Sequence, residues 1–124
     1  MNVVLVLDDE EKLRKRFVKQ IGGMPSVSSV VDFDSADKLL ATINSLKPIP
    51  SVFILDINMP GESNGVDVLK FVVENYPAST VYMFTSSEDA NEHRRCIELG
   101  AKDVVVKPMG RIAMQAALNQ LIEG

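Results

Sequence analysis

Short apolar runs alternate with helical patterns along the whole chain of 124 residues, and this alternation restricts the fold more than any other feature. The apolar runs span residues 3–7, 27–33, 52–55, 80–84 and 104–106. Short apolar runs that end at turn residues are typical of buried parallel strands. Between the runs, apolar residues recur at helical spacing, as Leu13, Phe17 and Ile21 do. We therefore predict an α/β fold with a doubly wound five-stranded parallel sheet, in which each helix returns the chain to the same edge.

The sequence also predicts helix ends and helix faces. Ser35 is a good cap for the second helix. Ser86 and Asp89 have the spacing of a capping box, which predicts that the fourth helix begins there and continues to Gly100. Leu39, Ile43 and Leu46 mark one face of helix two, and Val66, Leu69 and Val73 place helix three. On helix five, the residues predicted to face inward are Met114, Leu118 and Leu121.

Composition narrows the class of protein. With 46% apolar and 24% charged residues, the chain is typical of a soluble globular domain. A net charge of -4 without a long basic tract argues against direct nucleic acid binding. No apolar run has the length of a membrane span, and Asp8 follows the N-terminus too soon for a signal peptide. The single cysteine, Cys96, cannot form an internal disulfide, so we expect a cytoplasmic protein in which Cys96 packs on the sheet.

Polar residues follow four of the predicted strands: Asp8 and Asp9 the first, Asp56 the third, Thr85 the fourth and Lys107 the fifth. The carboxyl ends of parallel strands meet at one edge, so these side chains are expected to lie together. Three neighbouring carboxylates repel one another unless a cation joins them. Mg²⁺ suits oxygen ligands and keeps positions for water and phosphate. One Mg²⁺ and Lys107 together would reduce the charge of the three aspartates to zero.

Asp56 is the central carboxylate of this group, and a carboxylate can form an acyl phosphate. The oxygens of the added phosphoryl group could be met by the metal, the Lys107 ammonium and the Thr85 hydroxyl. Phosphoryl transfer depends mainly on positioning and charge stabilisation, which such a set supplies. The pattern thus favours a phosphoacceptor site.

Four segments carry a family resemblance, namely VLVLDD (4–9), FILDINMPG (53–61), FTS (84–86) and GAKDVVVKP (100–108). Together they resemble the receiver domain of two-component response regulators, in the same order and over the whole chain. The resemblance implies one receiver domain, residues 1–124, with the (βα)5 flavodoxin-like, CheY-like topology. It also implies that the chain is not an enzyme but a phosphoacceptor switch that assists its own phosphorylation and dephosphorylation.

The resemblance implies roles for individual residues as well. A sensor histidine kinase or histidine phosphotransfer protein would give its phosphoryl group to Asp56. Asp9 would bind Mg²⁺ directly, Asp8 largely through water, and Asn58 through its backbone carbonyl, with Asp56 completing the metal site.

The resemblance further implies that Thr85 would follow the phosphoryl group as the switch hydroxyl and that Lys107 would pair with that group. The face built from helix four, strand five and helix five would then present a changed surface to a downstream partner. This chain departs from the family pattern at Val104, three residues before Lys107, where receivers usually carry a Tyr or Phe.

Three other functions are alternatives to a phosphoacceptor switch. A receiver-like scaffold that does not accept phosphate remains an alternative. An aspartyl-phosphate phosphatase would need an acid two residues after its nucleophile, where this chain has Asn58. A flavin domain of the same topology would need a phosphate loop after strand one, where Asp8 and its acidic neighbours would repel phosphate. The sequence leaves open whether the chain acts alone or belongs to a larger regulator.

Two further groups of charged residues have less specific interpretations. Arg14, Lys15, Arg16 and Lys19 on helix one either form a solvated face or dock an acidic kinase helix. His93 is expected to be exposed on helix four, without a role in phosphotransfer or metal binding.

Overall fold

The computed structural model describes residues 2–124, in which strands and helices alternate. The strands are β1 (Asn2–Leu7), β2 (Val27–Phe33), β3 (Val52–Asp56), β4 (Thr80–Thr85) and β5 (Asp103–Val106). The helices are α1 (Glu11–Gly22), α2 (Ala36–Thr42), α3 (Gly65–Asn75), α4 (Ala90–Leu99) and α5 (Arg111–Ile122). All neighbouring strands are parallel, in the order β2-β1-β3-β4-β5. The predicted doubly wound α/β sheet with flavodoxin-like topology is confirmed.

The strand order places a switch point between β1 and β3. The chain moves from β1 outward to β2, then crosses to β3 and continues in the opposite direction to β5. Leu7 at the end of β1 pairs with Leu55, so the residues that follow these two strands lie side by side. Ligands of such sheets bind beyond the carboxyl ends of the strands at the switch point.

The sheet has an apolar core on each face because side chains alternate along buried strands. On β1, Leu5 and Leu7 point to the face covered by α2, α3 and α4, whereas Val4 and Val6 point to the face covered by α1 and α5. Phe17 of α1 and Phe84 of β4 meet edge to face with ring centroids 5.8 Å apart. Both faces are therefore closed, and the edge formed by the carboxyl ends of the strands carries the polar residues.

Helix α3 lies where the sequence pattern placed it. Its buried side chains are Val68, Leu69 and Val72, whereas Val73 is 37% exposed. Val73 lies against the end of α4. A Cβ atom added at Gly100, which has a φ of +117°, would lie 2.8 Å from a Val73 methyl group.

Helix α4 begins later than predicted. Its N-cap is Asp89, whose carboxylate accepts the N–H groups of Asn91 and Glu92, so the prediction of a start at Ser86 is wrong. Residues 86–88 are instead used in a turn, where the Ser87 N–H donates to the Thr85 hydroxyl. Cys96 is the buried residue of this helix, as predicted.

The other helices agree more closely with the sequence pattern. Ser35 caps α2 by accepting the Lys38 N–H at 3.2 Å. Helix α2 ends at Thr42 and is followed by a 3₁₀ turn, Ile43–Ser45. Leu46 therefore lies beyond the helix, but it still packs against the core. None of the helices in residues 2–124 combines the length and apolar character needed to cross a membrane.

Candidate functional site

The site is centred on the ammonium group of Lys107, which joins two aspartates from different strands. Lys107 Nζ lies 2.8 Å from Asp8 Oδ2 and 2.9 Å from Asp56 Oδ2. The side chains are 13% exposed for Lys107, 1% for Asp8 and 10% for Asp56. Charges this buried are stable only when they are paired, so the three strand ends are held together by this ion-pair network.

Asp9 adds a third carboxylate on the solvent side. One oxygen atom from each of Asp8, Asp9 and Asp56 lies within 4.8 Å of the others, which is close enough for a single metal ion to be shared. Asp9 is exposed, so a metal ion at this position would keep contact with water. This donor set, oxygen atoms only and one side open, fits Mg²⁺, which binds few carboxylates and retains several waters.

The electrostatics of the buried pair depend on burial and on the opposite charge. Burial raises the pKa of Asp56 above that of an ordinary aspartate, Lys107 opposes this rise, and the negative charge of Asp8 adds to it. Burial alone would lower the pKa of Lys107, but hydrogen bonds and charges from the two aspartates outweigh burial and raise that pKa. The lysine therefore stays protonated and provides a permanent positive charge beside Asp56.

Asp8 is fixed by contacts that the sequence did not reveal. Its Oδ1 atom accepts the Glu10 N–H at 2.8 Å, and its backbone N–H donates to the Phe33 carbonyl at 3.1 Å. Arg14 Nη1 donates to the Asp8 carbonyl at 3.0 Å, while Arg14 Nε pairs with Asp32 at 2.8 Å. Arg14 thus helps to hold Asp8 in place. From the sequence, we had grouped Arg14 with the solvated or docking residues of α1.

Thr85 and Asn58 lie at the same edge. Thr85 is fully buried, its hydroxyl accepts the Ser87 N–H at 3.0 Å, and its carbonyl accepts the Lys107 N–H at 2.7 Å. The second bond joins the ends of β4 and β5. Asn58 follows β3 with an exposed side chain. The structure therefore brings Asp8, Asp56 and Lys107 into direct contact and places the other predicted residues around them.

The structure adds detail on Val104 of β5 and on His93 of α4. Val104 pairs with Met83 on β4 and is partly buried, so an aliphatic side chain occupies the position of the usual aromatic ring. The prediction that His93 is exposed is wrong, because His93 is partly buried and its Nε2 lies 2.7 Å from the Ser87 carbonyl.

The Lys107–Pro108 peptide bond is trans, since Lys47–Pro48 is the cis bond found in residues 2–124.

Gly65 was overlooked as a site residue, although it sits against the backbone of Asp56. A Cβ atom added at Gly65 would lie 1.8 Å from the Asp56 carbonyl oxygen. The Gly65 N–H also donates to the Ile57 carbonyl at 3.1 Å. The sequence does contain a sign of this position. Gly65 directly follows Asn64, which forms a capping box with Asp67 at the start of α3.

The fold and the site define a class of α/β proteins with flavodoxin-like topology and an acidic cluster at the β1/β3 switch point. The family model described as response regulator receiver domain matches residues 4–119. The chain therefore belongs to the receiver domain family of two-component response regulators.

Individual relatives agree with this assignment. The protein-glutamate methylesterase/protein-glutamine glutaminase of Bacillus subtilis is 30% identical over 123 residues, covering 97% of this chain and 34% of that protein. Protein CcdB of Bacillus subtilis is 29% identical and is covered over 98% of both chains. The response regulator domain of Thermotoga maritima CheB superposes with a TM-score of 0.81 and 26% identity, covering 99% of this chain and 92% of that one. The chain spans only about a third of the methylesterases it matches.

Proposed function

We propose that this domain is a phosphoacceptor switch in which Asp56 receives a phosphoryl group from a phosphohistidine of a sensor kinase or phosphotransfer protein. An Asp56 carboxylate oxygen would attack phosphorus, forming an O–P bond while the P–N bond to the imidazole breaks. The electron pair of that bond leaves with the imidazole, which takes up a proton. Hydrolysis of the resulting acyl phosphate by water would return the carboxylate and release inorganic phosphate.

The observation that carries this proposal is the double contact of Lys107 with Asp8 and Asp56 beside a third carboxylate. The ammonium group is already in place where negative charge would develop on the transferred phosphoryl oxygens. Asp8, Asp9, Asp56 and the Asn58 carbonyl would hold Mg²⁺. Bound there, the ion would neutralise phosphoryl oxygens and reduce the repulsion between an anionic donor and the aspartates.

Intact mass after exposure to acetyl phosphate tests the chemistry. We expect one phosphoryl adduct that requires Mg²⁺ and is absent from Asp56→Asn. Asp103→Asn is the matched control, because Asp103 is an exposed aspartate at the opposite end of the sheet, at the start of β5. An adduct that persists in Asp56→Asn would contradict the assignment. Absence of an adduct in a folded natural chain would favour one of two alternatives. The domain would be either a receiver-like scaffold that does not accept phosphate or a receiver that accepts a phosphoryl group only from its kinase.

A basic groove between α1 and α5 is the surface on which we expect a kinase to dock. Lys15, Arg16, Lys19 and Arg111 line this groove. Apart from the Lys15–Glu11 pair, these cations make none of the salt bridges found in residues 2–124. We expect an acidic partner surface there. Phosphotransfer from the cognate kinase should slow as ionic strength rises, because salt screens exposed charges.

Exposed apolar side chains support an output surface on α4, β5 and α5. Four of the five large apolar residues that are exposed in the described chain lie on these elements or on the β5–α5 loop: Ile97, Val106, Met109 and Ile112. Apolar groups clustered at a surface often mark protein contacts. We propose that phosphorylation changes the affinity of this face for a downstream protein rather than for nucleic acid.

A further inference from the structure

Ser87 connects the switch hydroxyl to helix α4. Its N–H donates to the Thr85 hydroxyl at 3.0 Å, and its carbonyl lies 2.7 Å from His93 Nε2. Because a carbonyl oxygen only accepts, the histidine nitrogen must be the donor in this bond. Ser87 Oγ also accepts the N–H of Asp89, the N-cap of α4, at 3.2 Å. One residue is thus bonded to Thr85 and at two points to the start of α4.

Helix α4 is weakly held by apolar packing. Cys96 is its one fully buried side chain, whereas α3 buries Val68, Leu69 and Val72. Elements with few buried contacts are the ones that move at low free-energy cost. The bond from His93 to the Ser87 carbonyl therefore adds to the few contacts that hold the start of α4.

The resemblance to receivers implies that an aromatic ring at the position of Val104 would signal the phosphorylated state by rotating. Val104 has no ring and no polar atom, so its side chain cannot form or break a hydrogen bond when Thr85 moves. The hydrogen-bonded chain from Thr85 through Ser87 to His93 reaches α4, which belongs to the proposed output surface, by another path.

We propose that His93 is a positioning residue that couples the movement of Thr85 to α4 through the Ser87 backbone. This inference rests on the proposed phosphoacceptor function. When Thr85 turns toward a phosphoryl group on Asp56, Ser87 is drawn with it, and the Nε2–H bond of His93 transmits that displacement to α4. His93 itself takes no part in phosphoryl transfer.

The test compares His93→Phe, which keeps a planar ring without a donor, with His93→Gln, whose amide can still donate to the Ser87 carbonyl. Glu98→Ala, an exposed change on the same helix, is the control. The probe is beryllofluoride with Mg²⁺, followed by amide NMR at the site (Asp56, Lys107) and on α4 (residues 94–98). We expect the site amides to respond in every variant. In His93→Phe, the equilibrium constant for the α4 response should fall about fivefold, as expected for loss of one neutral hydrogen bond. His93→Gln and the control Glu98→Ala should keep the response of the natural chain.

The outcomes separate the two proposals. An undiminished α4 response in His93→Phe, or an equal loss in His93→Gln, would overturn the role of the Nε2–H donor. Absence of any response at the site in the natural chain would overturn the phosphoacceptor function and, with it, this inference.

A second measurement does not depend on the fold of a variant. His93 is the single histidine of the chain, so its ring nitrogens give one unambiguous set of ¹⁵N signals. We expect a protonated, hydrogen-bonded Nε2 in the natural chain, whose signal shifts on addition of beryllofluoride. An unprotonated Nε2, or one that does not respond while the site amides do, would overturn the proposal.

Discussion

Replacement of Lys107 by methionine tests the electrostatic argument most directly. The ammonium group contacts Asp8 at 2.8 Å and Asp56 at 2.9 Å, and all three side chains are at least 87% shielded from solvent. Removing one partner of a buried ion pair leaves an uncompensated charge and typically costs about 3–5 kcal/mol. Because Asp56 can relieve part of this cost by taking up a proton, we expect the lower end, about 3 kcal/mol at neutral pH without Mg²⁺.

The loss of stability should depend on pH. Without Lys107, burial and the charge of Asp8 still raise the pKa of Asp56, and nothing comparable lowers it. The folded state then binds more protons than the unfolded state between the ordinary aspartate pKa and the raised one, so stability falls as pH rises through that window. The stability difference between the natural chain and Lys107→Met should consequently widen as pH rises above the ordinary aspartate pKa of about 4.

Urea unfolding followed by circular dichroism in the presence of a chelator measures this difference. Lys102→Met is the matched control, since Lys102 is exposed and makes none of the salt bridges found in residues 2–124. The m-value should not change, so that the shift in midpoint reports stability alone. Equal midpoints for the two variants at neutral pH, or a difference that shrinks as pH rises, would refute the reasoning.

Three further predictions concern packing, capping and thiol access. Gly65→Ala should lower the free energy of unfolding by at least about 2 kcal/mol, because the new Cβ would lie 1.8 Å from the Asp56 carbonyl oxygen. Gly22→Ala, where the nearest atom would be 3.9 Å away, should be nearly neutral in the same urea experiment, and equal effects would contradict the steric argument. Asp89→Ala should cost about 1 kcal/mol through loss of the α4 cap, with Asp89→Asn largely restoring it. Cys96 is buried and its thiol pKa is raised by burial and by Glu92, so alkylation of the folded chain should be on the order of 100-fold slower than in urea; comparable rates would show that α4 opens readily.

The sequence predicted the site residues through the direction of the strands. Asp56 and Lys107 are 51 positions apart, yet each follows a buried run, and parallel strands bring such residues to one edge. Their contact is now an observed distance, whereas their roles in phosphoryl transfer stay predictions until the adduct is measured.

The errors came from contacts that depend on backbone geometry. Arg14 looked like one of several surface cations until its bonds to Asp8 and Asp32 were visible. His93 looked exposed because helical spacing does not show that the β4–α4 loop folds back over α4. Gly65 carries no side chain, so periodicity could not mark its contact with Asp56.

The sequence by itself determined the alternation of strands and helices, the parallel sheet and the edge at which Asp8, Asp56 and Lys107 lie. These follow from the period of the apolar residues, which is local information. Only the tertiary structure decided that Lys107 reaches across 99 positions to Asp8, and that Ser87 is bonded to both Thr85 and His93. Such contacts depend on how loops close over packed elements, because the direction of a hydrogen bond is set by the three-dimensional positions of both partners.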